Sequence, residues 1–148
     1  MVIRPAIVYG HGGGLIAMLI QAAREADAVP IIGQGETVWP LVHVEDLARL
    51  YERAVVEAPA GTVLIGAGEH LSVHAIAAAM ALVVGVDDRR QVLTLAEARQ
   101  TWGALADALA LDQRVSSDRA KTLLNWTPSA PSLLAELAHG SYRHAIAA

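Results

Sequence analysis

The sequence predicts an α/β fold, and three observations carry that prediction. Short apolar, β-branched segments alternate with segments of helical period, the pattern of a layered α/β architecture. The first of them, Val2 to Val8, is apolar on both faces, as in a strand buried inside a parallel sheet. Several helical segments also carry recognisable start and stop signals. At 148 residues the chain fits one domain with a respectable core.

Each element follows from local chemistry. After the glycines at 10 and 12–14, the stretch 15–28 has apolar residues at 15, 16, 19 and 20 and reads as a helix. Residues 29–33 read as a short strand, the Gln34-Gly35-Glu36 stretch as a turn, and 41–43 as a short extended piece. Residues 44–58 have helical period, with Leu47, Leu50, Tyr51, Ala54 and Val55 on one face and two acids in the first turn. Pro59 and Gly61 stop that helix, and 62–66 reads as another buried strand. Ser72 is the expected N-cap of a helix through Val84 that Gly85 closes. Thr94 and Glu97 form a capping-box pattern that opens a helix to about Leu111. Ser116 or Ser117 caps a short helix to Leu124, 127–131 turns, and a last helix runs near 132–146.

Composition narrows the function. The chain is 54% hydrophobic and only 18% charged, with net charge −4, so an apolar face that expects a partner is one reading of its surface. Ten arginines, one lysine and fifteen acids are spread without a basic stripe, which argues against nucleic acid. The absence of cysteine excludes disulfide frameworks and thiolate metal sites and suits a cytoplasmic enzyme. The start lacks the layout of a signal peptide, and the most apolar run, 73–86, is too short to span a bilayer, so no membrane role is expected.

The turn at Gly10–Gly14 follows a strand and precedes a helix, as a phosphate loop does. Gly10 and Gly12 fit a Gly-x-Gly-x-x-Gly spacing, but the third position is Leu15, and no Lys-Ser/Thr pair follows for a Walker A loop. Glu36 imitates the ribose-binding acid of a dinucleotide site, which leaves a small nucleotide-binding protein as one alternative. His70 and His74 have a metal-ligand spacing only if both lie on one helix; Ser72 between them marks a helix start, so no metal site is expected. His43 ends an extended piece before two acids and suits either a proton shuttle or a structural histidine. Glu45 and Asp46 suit a helix N-terminus rather than paired-carboxylate catalysis, and Arg89-Arg90 after Asp87-Asp88 suits a solvated turn. No Gly-x-Ser-x-Gly elbow is present.

In their order, the stretches IRPAIVYGHGG (3–13), IIGQGE (31–36), VHVEDLARLYERA (42–54), TVLIGAGEHLSV (62–73) and SSDRAKTLLNWTP (116–128) resemble the C-terminal half of extended short-chain dehydrogenases/reductases. These form the NAD(P)-dependent epimerase/dehydratase family. The resemblance implies a partial Rossmann-type parallel sheet, made of its last strands, joined to the family's C-terminal substrate-binding lobe. Residues 2–8 would be the sixth strand, so the glycines after it would lead away from the cofactor.

The family's cofactor fingerprint and Tyr-x-x-x-Lys pair lie upstream of that strand. They are not elsewhere in this chain: Tyr9, Tyr51 and Tyr142 are followed four residues later by Gly13, Val55 and Ile146. The resemblance therefore implies no catalytic residue here, and one wall of an active site. Pro5 and Ala6 would lie near the nicotinamide of NAD or NADP, which this chain alone is not expected to hold tightly. Ile7 stands where nucleotide-sugar enzymes often carry Asn, and Trp39 where they often carry a diphosphate-gripping Arg. Ile7, Trp39, His43 and Trp102 are thus candidate contacts for a small substrate that is not a nucleotide sugar, such as a ketone, aldehyde or lactone, with packing of the lobe as the other reading of both tryptophans. The expected partners are the family's N-terminal half or a second copy along the first strand. A free-standing, non-catalytic interaction module derived from such an enzyme is the alternative.

Overall fold

The computed structural model describes residues 1–144. In chain order its elements are β1 (Val2–Pro5), β2 (Ile7–Tyr9), α1 (Gly14–Ala26), β3 (Val29–Ile32), β4 (Val38–His43), α2 (Val44–Glu57), β5 (Val63–Gly66), β6 (Glu69–Ser72), α3 (Val73–Val84), β7 (Arg90–Leu93), α4 (Leu95–Trp102), α5 (Leu105–Leu109), α6 (Asp118–Leu124), α7 (Leu133–His139) and α8 (Ser141–His144). The mixed α/β expectation holds, with parallel pairing dominant. β1 pairs with β5 and β3 with β7, both parallel, while β4 lies between β2, parallel to it, and β6, antiparallel.

The expected strand over 2–8 is two strands that change partner at Ala6. Val2 aligns with Val63 and Pro5 with Gly66, whereas Ile7 aligns with Leu41 and Tyr9 with His43. The Ala6 amide still donates to the Gly66 carbonyl, so the backbone passes directly from one ladder to the next. Nor is the first part buried on both faces: Val2 is 51% exposed, and Arg4 and Pro5 are exposed as well. Only Ile3 turns inward, against the core beneath α2.

Two cores result. One joins α1, α3, α7 and α8 to β2, β3 and β4, with Ile16, Ile20, Trp39, Leu41, Ile76, Met80, Leu133, Leu137 and Tyr142 buried in it. The other lies under α2 and α6 and holds Val42, Leu47, Leu50, Leu64, Leu124 and Trp126. β4 divides them because successive side chains of a strand point to opposite faces: Trp39 and Leu41 enter the first core, Val42 the second.

Several expected boundaries shift for identifiable reasons. The strand expected over 41–43 begins at Val38 and runs through Pro40. A proline survives there because β4 extends past the start of β2, where the ladder has a partner on one side only. β6 was not foreseen; its Glu-His-Leu-Ser sequence has little strand character and pairs because β4 offers an edge. Arg90 belongs to β7 rather than to a solvated turn, while Asp87 and Asp88 make the turn with positive φ. The helix expected from Thr94 to about Leu111 breaks at Gly103, whose φ of 56° and ψ of −136° are not helical. The helix expected near 132–146 breaks at Gly140, and its last two residues lie outside the described ones.

The caps at Ser72 and Thr94 form as expected, the latter as a complete capping box. Ser117 begins α6 without capping it; its hydroxyl donates instead to the Ala67 carbonyl at 2.8 Å, and Ser116 Oγ accepts from the Asp118 amide. Among the described residues, no helix is long and apolar enough to cross a membrane.

Candidate functional site

Three places gather the residues that the sequence singles out. The first is the glycine turn. Its amides are already in use: Gly10 N–H donates to the Tyr142 hydroxyl at 2.9 Å, Gly12 N–H to Ser141 Oγ at 2.8 Å, and Gly13 N–H to the Gly10 carbonyl at 3.2 Å. Tyr142 in turn donates to the Gly13 carbonyl. A phosphate loop needs free, convergent amides; of these three, two are bound to the C-terminal segment and the third closes the turn on itself.

Around that turn lies a buried polar cluster. Tyr9 donates to Glu69 Oε1 at 2.7 Å and lies 2.9 Å from the Pro131 carbonyl oxygen. Burial first, and then the Glu69 carboxylate, pushes the Tyr9 phenol far above its ordinary value, so it stays a neutral donor. Burial works to raise the Glu136 carboxyl as well, but the Ser141 hydroxyl and amide, with His43 and His11, outweigh it and hold Glu136 below the usual carboxylate range. His43 caps α2: its Nδ1 accepts from the Glu45 amide at 3.2 Å. The proton of the neutral ring therefore sits on Nε2, 3.8 Å from Glu136 Oε1. His43 packs edge-on against Tyr9 and beneath Gly10.

That packing gives a testable consequence. Gly10 has φ +111°, and a Cβ there would lie 2.6 Å from His43 Nε2. Gly10→Ala should lower stability by about 2–4 kcal/mol in urea unfolding, combining backbone strain with displacement of a buried ring. Gly33→Ala, at φ +65° with nothing within 4 Å of the new methyl, should cost only about 1 kcal/mol.

The second place is a groove of about 400 Å³ at the partner switch of the first strand, lined by Arg4, Pro5, Ala6, Ile7, Pro40, Ile65, Gln113 and Val115. Pro5, Ala6 and Ile7 all line it. The far wall is a non-helical strap. Asp112 accepts from the Val38 amide at 2.7 Å, Gln113 N–H donates to the Val38 carbonyl at 2.9 Å, and Val115 N–H donates to His70 Nε2 at 3.2 Å. His70 is thus a strap anchor on β6, while His74 stands on α3 within 2.7 Å of Arg90 Nη1. Among the described residues no group of three His, Cys, Asp or Glu could hold a metal ion.

The third place is where Trp39 and Trp102 meet. They line, with Leu19, Pro30, Ile31, Ile32, Val73 and Leu109, a void of only about 10 Å³. Trp39 is 5% exposed and its indole N–H donates to the Leu109 carbonyl at 3.0 Å. The structure therefore separates the expected substrate contacts. Ile7 lines the groove, Trp39 and Trp102 pack the lobe core on the other face of β4, and His43 is a helix cap at the far end of that strand. Pro40, Gln113 and Val115 were missed. Proline reads as a strand breaker, and nothing in the sequence marks residues 112–115 as a wall.

Residues 1–66 match the NAD dependent epimerase/dehydratase family. An uncharacterised protein of Schizosaccharomyces pombe is 29% identical over 142 residues, which are 93% of this chain and 47% of that protein. Among solved structures, the human epimerase family protein SDR39U1 (isoform 2), solved with NADPH, is 25% identical and superposes with a TM-score of 0.70 over 95% of this chain and 47% of its own. UDP-glucuronic acid 4-epimerase from Bacillus cereus, in complex with UDP-glucuronic acid and NAD, gives 20% identity and a TM-score of 0.71 over 99% of this chain and 45% of its own. The chain thus has a fold similar to Rossmann-like epimerases and spans just under half the length of these relatives.

Proposed function

We propose that this chain is the substrate-lobe portion of an NAD(P)-dependent oxidoreductase or epimerase of the epimerase/dehydratase family, a cytoplasmic enzyme, and that it is inactive alone. The groove at Pro5, Ala6 and Ile7 is then one wall of the active site. It offers a nicotinamide ring an apolar surface, with Arg4 and Gln113 as the polar side chains of the lining, and no Tyr-x-x-x-Lys pair. The residues present do not suffice to hold the dinucleotide, so no hydride-transfer step is derived from them. The missing groups belong to a covering half. The substrate is a small, largely apolar molecule other than a nucleotide sugar, since the groove lining is mostly aliphatic.

The observation that carries this reading is the open side of β1. Val2 and Ala6 direct their amides to β5, so strand alternation turns the Ile3 N–H and carbonyl toward the other edge, where no strand pairs among the described residues. The face bearing Val2 and Val63 is bare and runs into the groove at Arg4 and Ile65. Parallel strands are stable when covered on both faces, and an unpaired edge is a template for another strand.

Hydrogen exchange tests this. In the chain alone the Ile3 amide should exchange freely while those of Ile7 and Tyr9, which face β4, are protected. Co-expression with the part of the Schizosaccharomyces pombe relative that this chain does not match should protect Ile3 and create NADPH binding that neither part has alone. Protection of Ile3 in a stable oligomer of this chain, with no gain from the added part, would favour the interaction module. Tight NADPH binding by the chain alone would overturn the proposal.

A further inference from the structure

Outside the groove, one buried polar group lacks a partner. Arg24 lies in the last turn of α1, and its Nη2 is buried with no hydrogen-bond partner among the described residues. Long helical side chains lean back toward the helix N-terminus, which carries this guanidinium over Gln21, Ile20 and Ala17. These residues, with Arg24, Gly12 and Tyr142, line a cavity of about 180 Å³ between α1 and α8.

Among the described residues, the acids of the neighbouring segments are engaged elsewhere. Glu25 accepts from Gln21 at 2.9 Å, Asp27 pairs with Arg89, and Glu136 takes the Ser141 hydroxyl and amide. The other donors of the lining are also spent, because Gly12 N–H goes to Ser141, the Tyr142 hydroxyl to Gly13 and the Gln21 side-chain amide to Glu25. The cavity therefore presents one unused cationic donor above a floor of Ala17 and Ile20. A guanidinium N–H pair buried without an acceptor is costly, and a carboxylate is its best-matched partner.

We propose that this cavity is a binding site for a short-chain monocarboxylate. The carboxylate accepts from Arg24 Nη2, and the alkyl tail lies over Ala17 and Ile20. The site is separate from the groove and does not rest on the function proposed above, since it needs neither a cofactor nor a covering half.

The test is a titration of the full chain with sodium propionate, followed by ¹⁵N amide shifts at constant ionic strength, with sodium chloride and 1-propanol as controls. Saturable shifts of the Gly12 and Gln21 amides are expected with propionate and with neither control. Arg24→Gln should weaken binding about tenfold or more, the loss of a charge-assisted contact. Ala17→Leu, which fills the floor and leaves the arginine intact, should do the same. It keeps the test decisive if Arg24→Gln fails to fold. Shifts that do not saturate, that chloride or propanol reproduces, or that survive both substitutions would overturn the site in favour of a water-filled cavity.

Discussion

Replacing Asp46 with alanine is expected to remove about 3 kcal/mol of stability, among the larger losses available to a single polar substitution in this chain. Asp46 is 3% exposed at the third residue after the His43 cap. Its two oxygens collect the Ser129 amide at 2.9 Å, the Ala130 amide at 3.0 Å and the Arg49 guanidinium at 2.7 Å. Its own carbonyl takes the Trp126 indole N–H at 2.8 Å. The carboxylate thus ties the first turn of α2 to the segment between α6 and α7, and its removal strands two amides and the Arg49 guanidinium in part-buried positions. Asp46→Asn should recover only part of the loss, since an amide has one accepting oxygen and brings two donors to a site made of donors.

The same group sets an acid limit. Burial alone would raise the Asp46 carboxyl, but the two amides and Arg49 outweigh it and hold the carboxyl below its ordinary value. A group depressed in the folded state contributes stability above its unfolded value, near pH 4, and loses it as pH falls through the folded value. Urea midpoints measured from pH 6 down to pH 2 should therefore fall more steeply for the wild-type chain than for Asp46→Ala. Parallel curves would assign the acid loss to other groups, Glu136 first among them, because it is depressed as well.

What the sequence revealed depended on whether a signal is local. α2, α3 and α4 were legible because their caps, acids and closing residues sit within one turn of each helix. β6 and β7 were not, since Glu69–Ser72 and Arg90–Leu93 are strands only by virtue of the edges of β4 and β3 that receive them. The breaks at Gly103 and Gly140 escaped a reading based on hydrophobic period, which a single glycine barely disturbs. Gly140 is required for steric reasons, because a Cβ there would meet Glu136 at 2.6 Å. The exposure of Val2 and Arg4 escaped it too, because apolar composition reports what a strand prefers and not what covers it. At the candidate site, Pro5, Ala6 and Ile7 follow from the family resemblance. The opposing strap follows only from three long-range hydrogen bonds to Val38 and His70 that no spacing rule encodes.

Trp39→Arg should cost about 4 kcal/mol or more, the scale of an unpaired charge in an apolar core, and should bring no affinity for a nucleoside diphosphate. The family resemblance matches Trp39 to a position where nucleotide-sugar enzymes often carry a diphosphate-gripping arginine, which makes this substitution look like a restoration. The surroundings argue otherwise. No acid lines the void around Trp39, whose walls are Leu19, Ile31, Val73, Trp102 and Leu109, and whose volume of about 10 Å³ holds no diphosphate. The indole N–H that would be lost leaves the Leu109 carbonyl unpaired. Urea unfolding measures the first expectation, and amide shifts on adding UDP measure the second. A variant that stays folded and binds UDP would mean that α4 and α5 can swing away from β4, with Trp102 and Leu109 as a movable cover over a nucleotide subsite. A variant that loses stability and binds nothing would mean that Trp39 and Trp102 have turned that position into core, which leaves the groove at Ile7 as the place for substrate.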